Sequence, residues 1–169
     1  MTRADQAETL FRQGYGCCQA VAAAFAPELE LPTETAIRLA SGFSAGFGRL
    51  REVCGAFSAL CLVAGQVWGY SDPLDQETKK ALYRRIQGMA ASLRQQHGSI
   101  LCRELLARAG VADDGPQGSP RERTEAYYRS RPCVGFIRSA AALLEEQLAA
   151  EGRLLPFPCN DDNLYKEEP

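Results

Sequence analysis

The chain has a single histidine, and it contains no HExxH, no CxxC, no GxGxxG and no GxxxxGK[ST]. Conventional zinc and nucleotide signatures are therefore missing. It has no surplus of positive charge either: the net charge is −2 and the isoelectric point is near 5.5, which leaves no electrostatic footprint for nucleic acid. No apolar run reaches the roughly 18 residues of a membrane span. The amino terminus, Met1-Thr-Arg-Ala-Asp-Gln-Ala-Glu, lacks the apolar core of a secretory signal. A reducing, cytoplasmic setting is expected, in which seven cysteines, odd in number and widely spaced, do not form a stapling framework. No segment alternates as a strand and no internal repeat is visible.

What is present is helical pattern. The 169 residues suit one all-α domain with a real core, a helical bundle over residues 1–152 with an irregular tail over 153–169. The bundle is built around the stretch Val53 to Trp68, in which only Ser58 and Gln66 are polar. A helix apolar nearly all round is buried on most sides. Gly55 and Ala59, at i and i+4, leave a shallow stripe beside Cys54 where another backbone can approach. Upstream, Gly42, Gly46 and Gly48 punctuate a segment permissive for unusual backbone angles.

Other helices are expected over Ala4–Arg12, from about Cys17 to Pro27, and from Thr33 with Ile37, Leu39 and Ala40 inward. Ser71-Asp72-Pro73 reads as the cap of a helix carrying Leu74, Ala81, Leu82, Ile86, Met89 and Leu93. Ser99 is expected to cap the next helix, and Ser119 with Glu122 to form the capping box of a short one. Asp113 to Pro120 reads as a solvated loop, and Pro132 as the start of a last helix that ends at Gly152.

Four cysteines share one local position. Cys17 follows Gly16, Cys54 lies near the start of the apolar helix, Cys102 stands three residues past Ser99, and Cys133 follows Pro132. In a first helical turn, unpaired amides and the helix dipole favour an anion. A thiol there has a lowered pKa and is a better nucleophile or metal ligand. Cys54 and Cys61, seven residues apart, lie roughly 10 Å from each other on one face, beyond the reach of a mutual disulfide. Cys61 is expected to pack in the core, Cys18 to point away from Cys17, and Cys159 to be an exposed bystander. His97 is expected to be structural or on the surface, as are Arg51, Glu52, Arg103 and Glu104 at helix ends. Tyr127 and Tyr128 are expected to cover the core.

Taken in order, Tyr15-Gly-Cys-Cys-Gln-Ala-Val, Ser41-Gly-Phe with Gly46-Phe-Gly-Arg-Leu, Cys54-Gly-Ala-Phe-Ser-Ala, Gly98-Ser-Ile-Leu-Cys-Arg-Glu-Leu-Leu and Arg131-Pro-Cys133 form a recognisable set. Together they resemble the redox-active family named for its cysteine pattern, C_GCAxxG_C_C, over roughly residues 5 to 148. Matching the motifs places the family's four cysteines on Cys17, Cys54, Cys102 and Cys133, with Cys18 as an extra. Ala59 stands where the family motif ends in glycine. The resemblance implies a helical four-cysteine redox module. A related domain in a multihaem cytochrome makes an iron–sulfur cluster the expected cofactor, and the lack of CxxCH argues against covalent haem.

The reading that follows is electron transfer or redox sensing through an iron–sulfur cluster, [2Fe–2S], bound by Cys17, Cys54, Cys102 and Cys133. Two alternatives stay open: a metal-free thiol–disulfide module using two of these cysteines, and a helical interaction module stabilised by zinc. A redox partner protein is expected, a homodimer is open, and neither nucleic acid nor a membrane span is expected.

Overall fold

The computed structural model describes residues 1–112 and 119–157. Among them there are helices and no named strand. The helices are α1 (Arg3–Arg12), α2 (Cys17–Ala24), α3 (Thr33–Ala40), α4 (Ser44–Phe47), α5 (Gly55–Trp68), α6 (Gln76–His97), α7 (Cys102–Arg108), α8 (Glu125–Ser130) and α9 (Cys133–Ala150), with a 3₁₀ turn at Ser41–Phe43.

Local chemistry sets most of the ends. Thr2 and Asp5 close a reciprocal capping box on α1, the Thr2 hydroxyl accepting from the Asp5 amide and the Asp5 carboxylate from the Thr2 amide. Asp75 caps α6 by accepting from the Thr78 amide at 3.0 Å. Asp72 instead forms a turn with the Leu74 amide, so α6 begins three residues later than the Ser-Asp-Pro pattern suggests, and Leu74 is left 82 % exposed. The Ser99 hydroxyl accepts from the Leu101 amide, but Leu101 is the residue at the cap and Cys102 is the first of α7. The short helix expected from Ser119 starts at Glu125, capped by Thr124. The chain at 119–124 is irregular, which corrects the Ser119–Glu122 capping box. Leu39 is also corrected: it is exposed, while Ala36 and Ala40 hold the inner face of α3. Of the solvated loop expected over 113–120, residues 113–118 lie outside the described residues, as do those from 158 onward, with Cys159.

Packing brings the ends of these helices together. α2 lies against α1, α3 and α5, α9 packs on α1 and α5, and α6 packs on α5. Residues 20–24 of α2 are alanines and one valine, all essentially inaccessible, and side chains this small let three neighbours close on one helix. α5 is buried along Gly55–Leu60 and at Val63 and Ala64, whereas Leu62 and Gln66 face outward. The core between them is filled by Leu10, Phe11, Phe25, Leu60, Met89, Leu93, Phe136, Ile137, Leu144 and Leu148. Among the described residues no helix is long and apolar enough to cross a membrane.

Candidate functional site: four thiols at one end of the bundle

Cys17, Cys102 and Cys133 are the first residues of α2, α7 and α9, and Cys54 is the cap of α5. All four line one cavity of about 70 Å³, together with Phe11, Phe136, Leu105, Leu106 and Tyr127. Helices converging on a point by their amino-terminal ends bring positive dipole ends and unpaired amides to it.

The starts of α2, α5 and α7 are held there by specific contacts. Gly16 donates its amide to Gln19 Oε1 at 2.8 Å, and Gln19 in turn donates to the Ile37 carbonyl, which anchors the start of α2 to α3. An antiparallel bridge between Val53 and Leu101 joins the approach to α5 with the approach to α7. It is closed by the Cys54 amide on the Ile100 carbonyl (2.8 Å) and the Cys102 amide on the Glu52 carbonyl (2.7 Å). Two cysteines 48 positions apart in sequence are thereby placed on either side of one bridging pair. Nothing in the hydropathy pattern announces this bridge, because it is only one residue pair long.

Among the described residues, four of the five non-glycine residues with positive φ lie in the turn before α5. Ala45, Phe47, Arg49 and Arg51 all have positive φ, between 56° and 77°, interleaved with Gly46 and Gly48. The left-handed region costs a non-glycine residue about 1–2 kcal/mol, and such residues gather where function needs them. Here the path brings the Ala45 amide to the Cys17 sulfur and carries Arg51, only 5 % exposed, into the cavity wall. Gly46 is required twice over: its φ is +72°, and a Cβ there would stand 2.8 Å from that of Cys102. Gly55 admits the Cys17 sulfur, which lies 2.6 Å from where a Cβ on Gly55 would be. The shallow stripe expected on this helix is thus occupied by Cys17 itself.

The thiols are electrostatically unequal. Cys17 accepts hydrogen bonds from the Cys54 thiol and from the amides of Ala45, Cys18 and Gly55, and these hold its pKa well below the ordinary thiol value despite burial. Cys54, the donor in that pair, is pushed well above it by the same bond and by burial. Burial, followed by the charges of Cys17 and Cys102, raises Cys133 to about 12. Arg51 Nη1 lies 3.9 Å from the Cys102 sulfur. Arg123 and Arg131 also line the cavity, so three guanidinium groups surround four potential thiolates.

The remaining candidates sit elsewhere. Cys18 is fully buried, its pKa raised by burial, and Cys61 is raised to about 11 for the same reason; neither lines the cavity. His97 meets Ser139 Oγ at 2.9 Å and rests on the ring of the cavity's Phe136, without lining the cavity itself. Tyr128 is buried, its hydroxyl donating to the Phe11 and Arg12 carbonyls, whereas Tyr127 forms part of the cavity wall. Among the wall residues, Arg123 and Arg131 are not singled out by pattern reading, while Arg51 and Tyr127, expected as a helix-end charge and a cover of the core, instead line the cavity. Only the position of Arg51 and Arg131, each close to a site cysteine, offered a signal.

Fold and site define a class: an all-helical protein with four cysteines at helix starts around one small cavity. Residues 15–147 match the family described as "Putative redox-active protein (C_GCAxxG_C_C)", and the chain belongs to that family. No curated protein matches the chain, and no solved structure does.

Proposed function

We propose that this protein is a cytoplasmic electron-transfer or redox-sensing module whose Cys17, Cys54, Cys102 and Cys133 hold a [2Fe–2S] cluster. The observation that carries the reading is the convergence of four cysteines on a cavity of about 70 Å³. A water needs about 10–15 Å³ on this scale, so the space suits about five to seven atoms of that size. The inorganic core of a [2Fe–2S] cluster has four, and four cysteine thiolates are its ligand set. Among the described residues no group of three or more His, Cys, Asp or Glu side chains is gathered closely enough for a single metal ion, which disfavours the tetrahedral zinc reading. A [2Fe–2S] cluster asks for two thiolates per iron rather than four around one point, and Cys17 with Cys54 already forms one such pair.

Such a cluster would supply one-electron chemistry. The chain's own part is to hold and tune it. Amides of Ala45, Cys18 and Gly55 directed at the Cys17 sulfur favour the more negative, reduced state, and so does Arg51 beside Cys102. The apolar walls formed by Phe11, Leu105, Leu106 and Phe136 keep water away.

A second reading has its own support in the Cys54–Cys17 hydrogen bond. An activated Cys17 thiolate would attack a partner's disulfide, and Cys54 would then resolve the mixed disulfide. Cys17 and Cys54 would end as a disulfide, and the partner would gain two electrons and two protons.

Anaerobic reconstitution with iron and sulfide on single serine substitutions tests the choice. Replacing Cys17, Cys54, Cys102 or Cys133 is expected to abolish or shift the visible absorbance, whereas replacing Cys18, Cys61 or Cys159 leaves it intact. Iron retained equally by all four site variants would show that these cysteines are not the ligands.

A further inference from the structure

Beside the thiol cavity lies a larger cleft of about 500 Å³. Five arginines line it: Arg49 and Arg51 from the strained turn, Arg121 and Arg123 from the segment before α8, and Arg131 from the link to α9. None of the described acidic residues does, in a chain where acidic residues outnumber basic ones by 21 to 19. Arg123 stacks on Phe11 at 4.9 Å and on Tyr127 at 4.7 Å, and Arg131 stacks on Tyr127 at 4.5 Å. Neither has an ion pair among the described residues. Nη1 of Arg123 is buried without a hydrogen-bond partner, although a buried donor left unpaired costs about 1–3 kcal/mol. The rings thus hold the two guanidinium groups in place while leaving Arg123 with an N–H donor that has no protein acceptor, and a planar guanidinium is suited to carboxylate and phosphate.

We propose that this cleft binds a small molecule carrying two or more phosphate or carboxylate groups, seated at the mouth of the thiol cavity. The volume falls within the roughly 300–1,000 Å³ of small-molecule sites. Arg123 and Arg131 come from separate segments on either side of α8, which suits two anionic groups better than one. Arg51, Arg123, Arg131 and Tyr127 line both spaces, so the occupant would lie directly against the wall of the thiol cavity. The proposal does not depend on whether the cysteines hold a cluster or cycle as thiols.

Titration calorimetry of the full chain with pyrophosphate and with citrate tests it, and visible absorbance of the same samples reports the thiol centre separately. Saturable binding of at least one of the two is expected. It should weaken tenfold or more in Arg123→Gln and in Arg131→Gln, hold in the exposed control Arg94→Gln, and decline as salt is raised. Should Arg123→Gln fail to fold, Arg131→Lys carries the test: it keeps the charge, loses the planar fork, and should still weaken binding several-fold. Absence of saturable binding by both anions would overturn the proposal. So would binding unaffected by the substitutions, or binding of an oligoglutamate peptide alone, which would assign the surface to an acidic protein partner.

Discussion

The two ends of α2, about 12 Å apart, are built in opposite ways. At its carboxyl end Arg3, only 1 % exposed, donates to the Ala24 carbonyl at 2.6 Å, to Glu28 Oε1 at 2.8 Å and to the Leu155 carbonyl at 2.9 Å. Phe25 and Phe157 cover its guanidinium at 5.3 and 4.5 Å. At the amino end the same helix presents Cys17 to a cavity, beside a turn with four left-handed non-glycine residues. Both ends use the helix dipole with the correct sign, a cation at the carboxyl end and an anionic sulfur at the amino end. The contrast teaches where each property resides: one end is closed by a paired buried charge, and the other keeps open space, strain and unequal thiols.

The largest expected effect comes from breaking the closed end. Glu28→Ala leaves Arg3 buried without its counter-ion and should cost about 3–5 kcal/mol in denaturant unfolding. The absorbance per folded, reconstituted molecule should be unchanged, because the thiol cavity is not touched.

At the open end, Gly55→Leu should destabilise by about 1–3 kcal/mol through overpacking. It should also impair cluster loading, since the new side chain takes the place of the Cys17 sulfur. A neutral result in thermal unfolding would mean that the two helices are not in contact there.

Relieving strain sharpens the comparison in the other direction. Ala45 has φ 56°, so Ala45→Gly should stabilise the fold by about 0.5–1 kcal/mol after the added unfolded-state entropy of glycine is subtracted. The measurement is the shift in the denaturant midpoint at constant slope.

The smallest effect lies at the exposed start of α1. The Thr2 amide, followed by the Thr2 side chain and Arg138, lowers the Asp5 pKa from 3.8 to about 2. A depressed carboxylate pKa stabilises the fold above the ordinary value and loses that contribution as pH falls. Acid unfolding should therefore steepen between about pH 4 and 2, and Asp5→Asn should flatten that part of the curve.

Much of this was legible in the sequence because it depends on local rules. The all-helical class, the last helix from Cys133 to Ala150, and the helix-start positions of Cys17, Cys54, Cys102 and Cys133 all follow from periodicity, proline, glycine and capping residues. What was not legible depends on partners distant in the chain. The bridge of Val53 to Leu101 has no pattern of its own. Arg51 reads as a solvated flank until the left-handed turn buries it. Arg123 lies over Tyr127, only four residues on, but also over Phe11 at the other end of the chain, a ring that no local rule can see. The glycines at 42, 46 and 48 did mark an unusual path, but not that Ala45, Phe47, Arg49 and Arg51 would share it.

The central claim is that the open end of α2 is a cluster site, and the most direct measurement is the iron and acid-labile sulfide content of anaerobically purified and reconstituted protein, read with its visible spectrum. The account predicts about two irons and two sulfides per chain, with a visible absorbance that bleaches on reduction. Colourless protein without bound iron, in which oxidation joins Cys17 to Cys54, would contradict it.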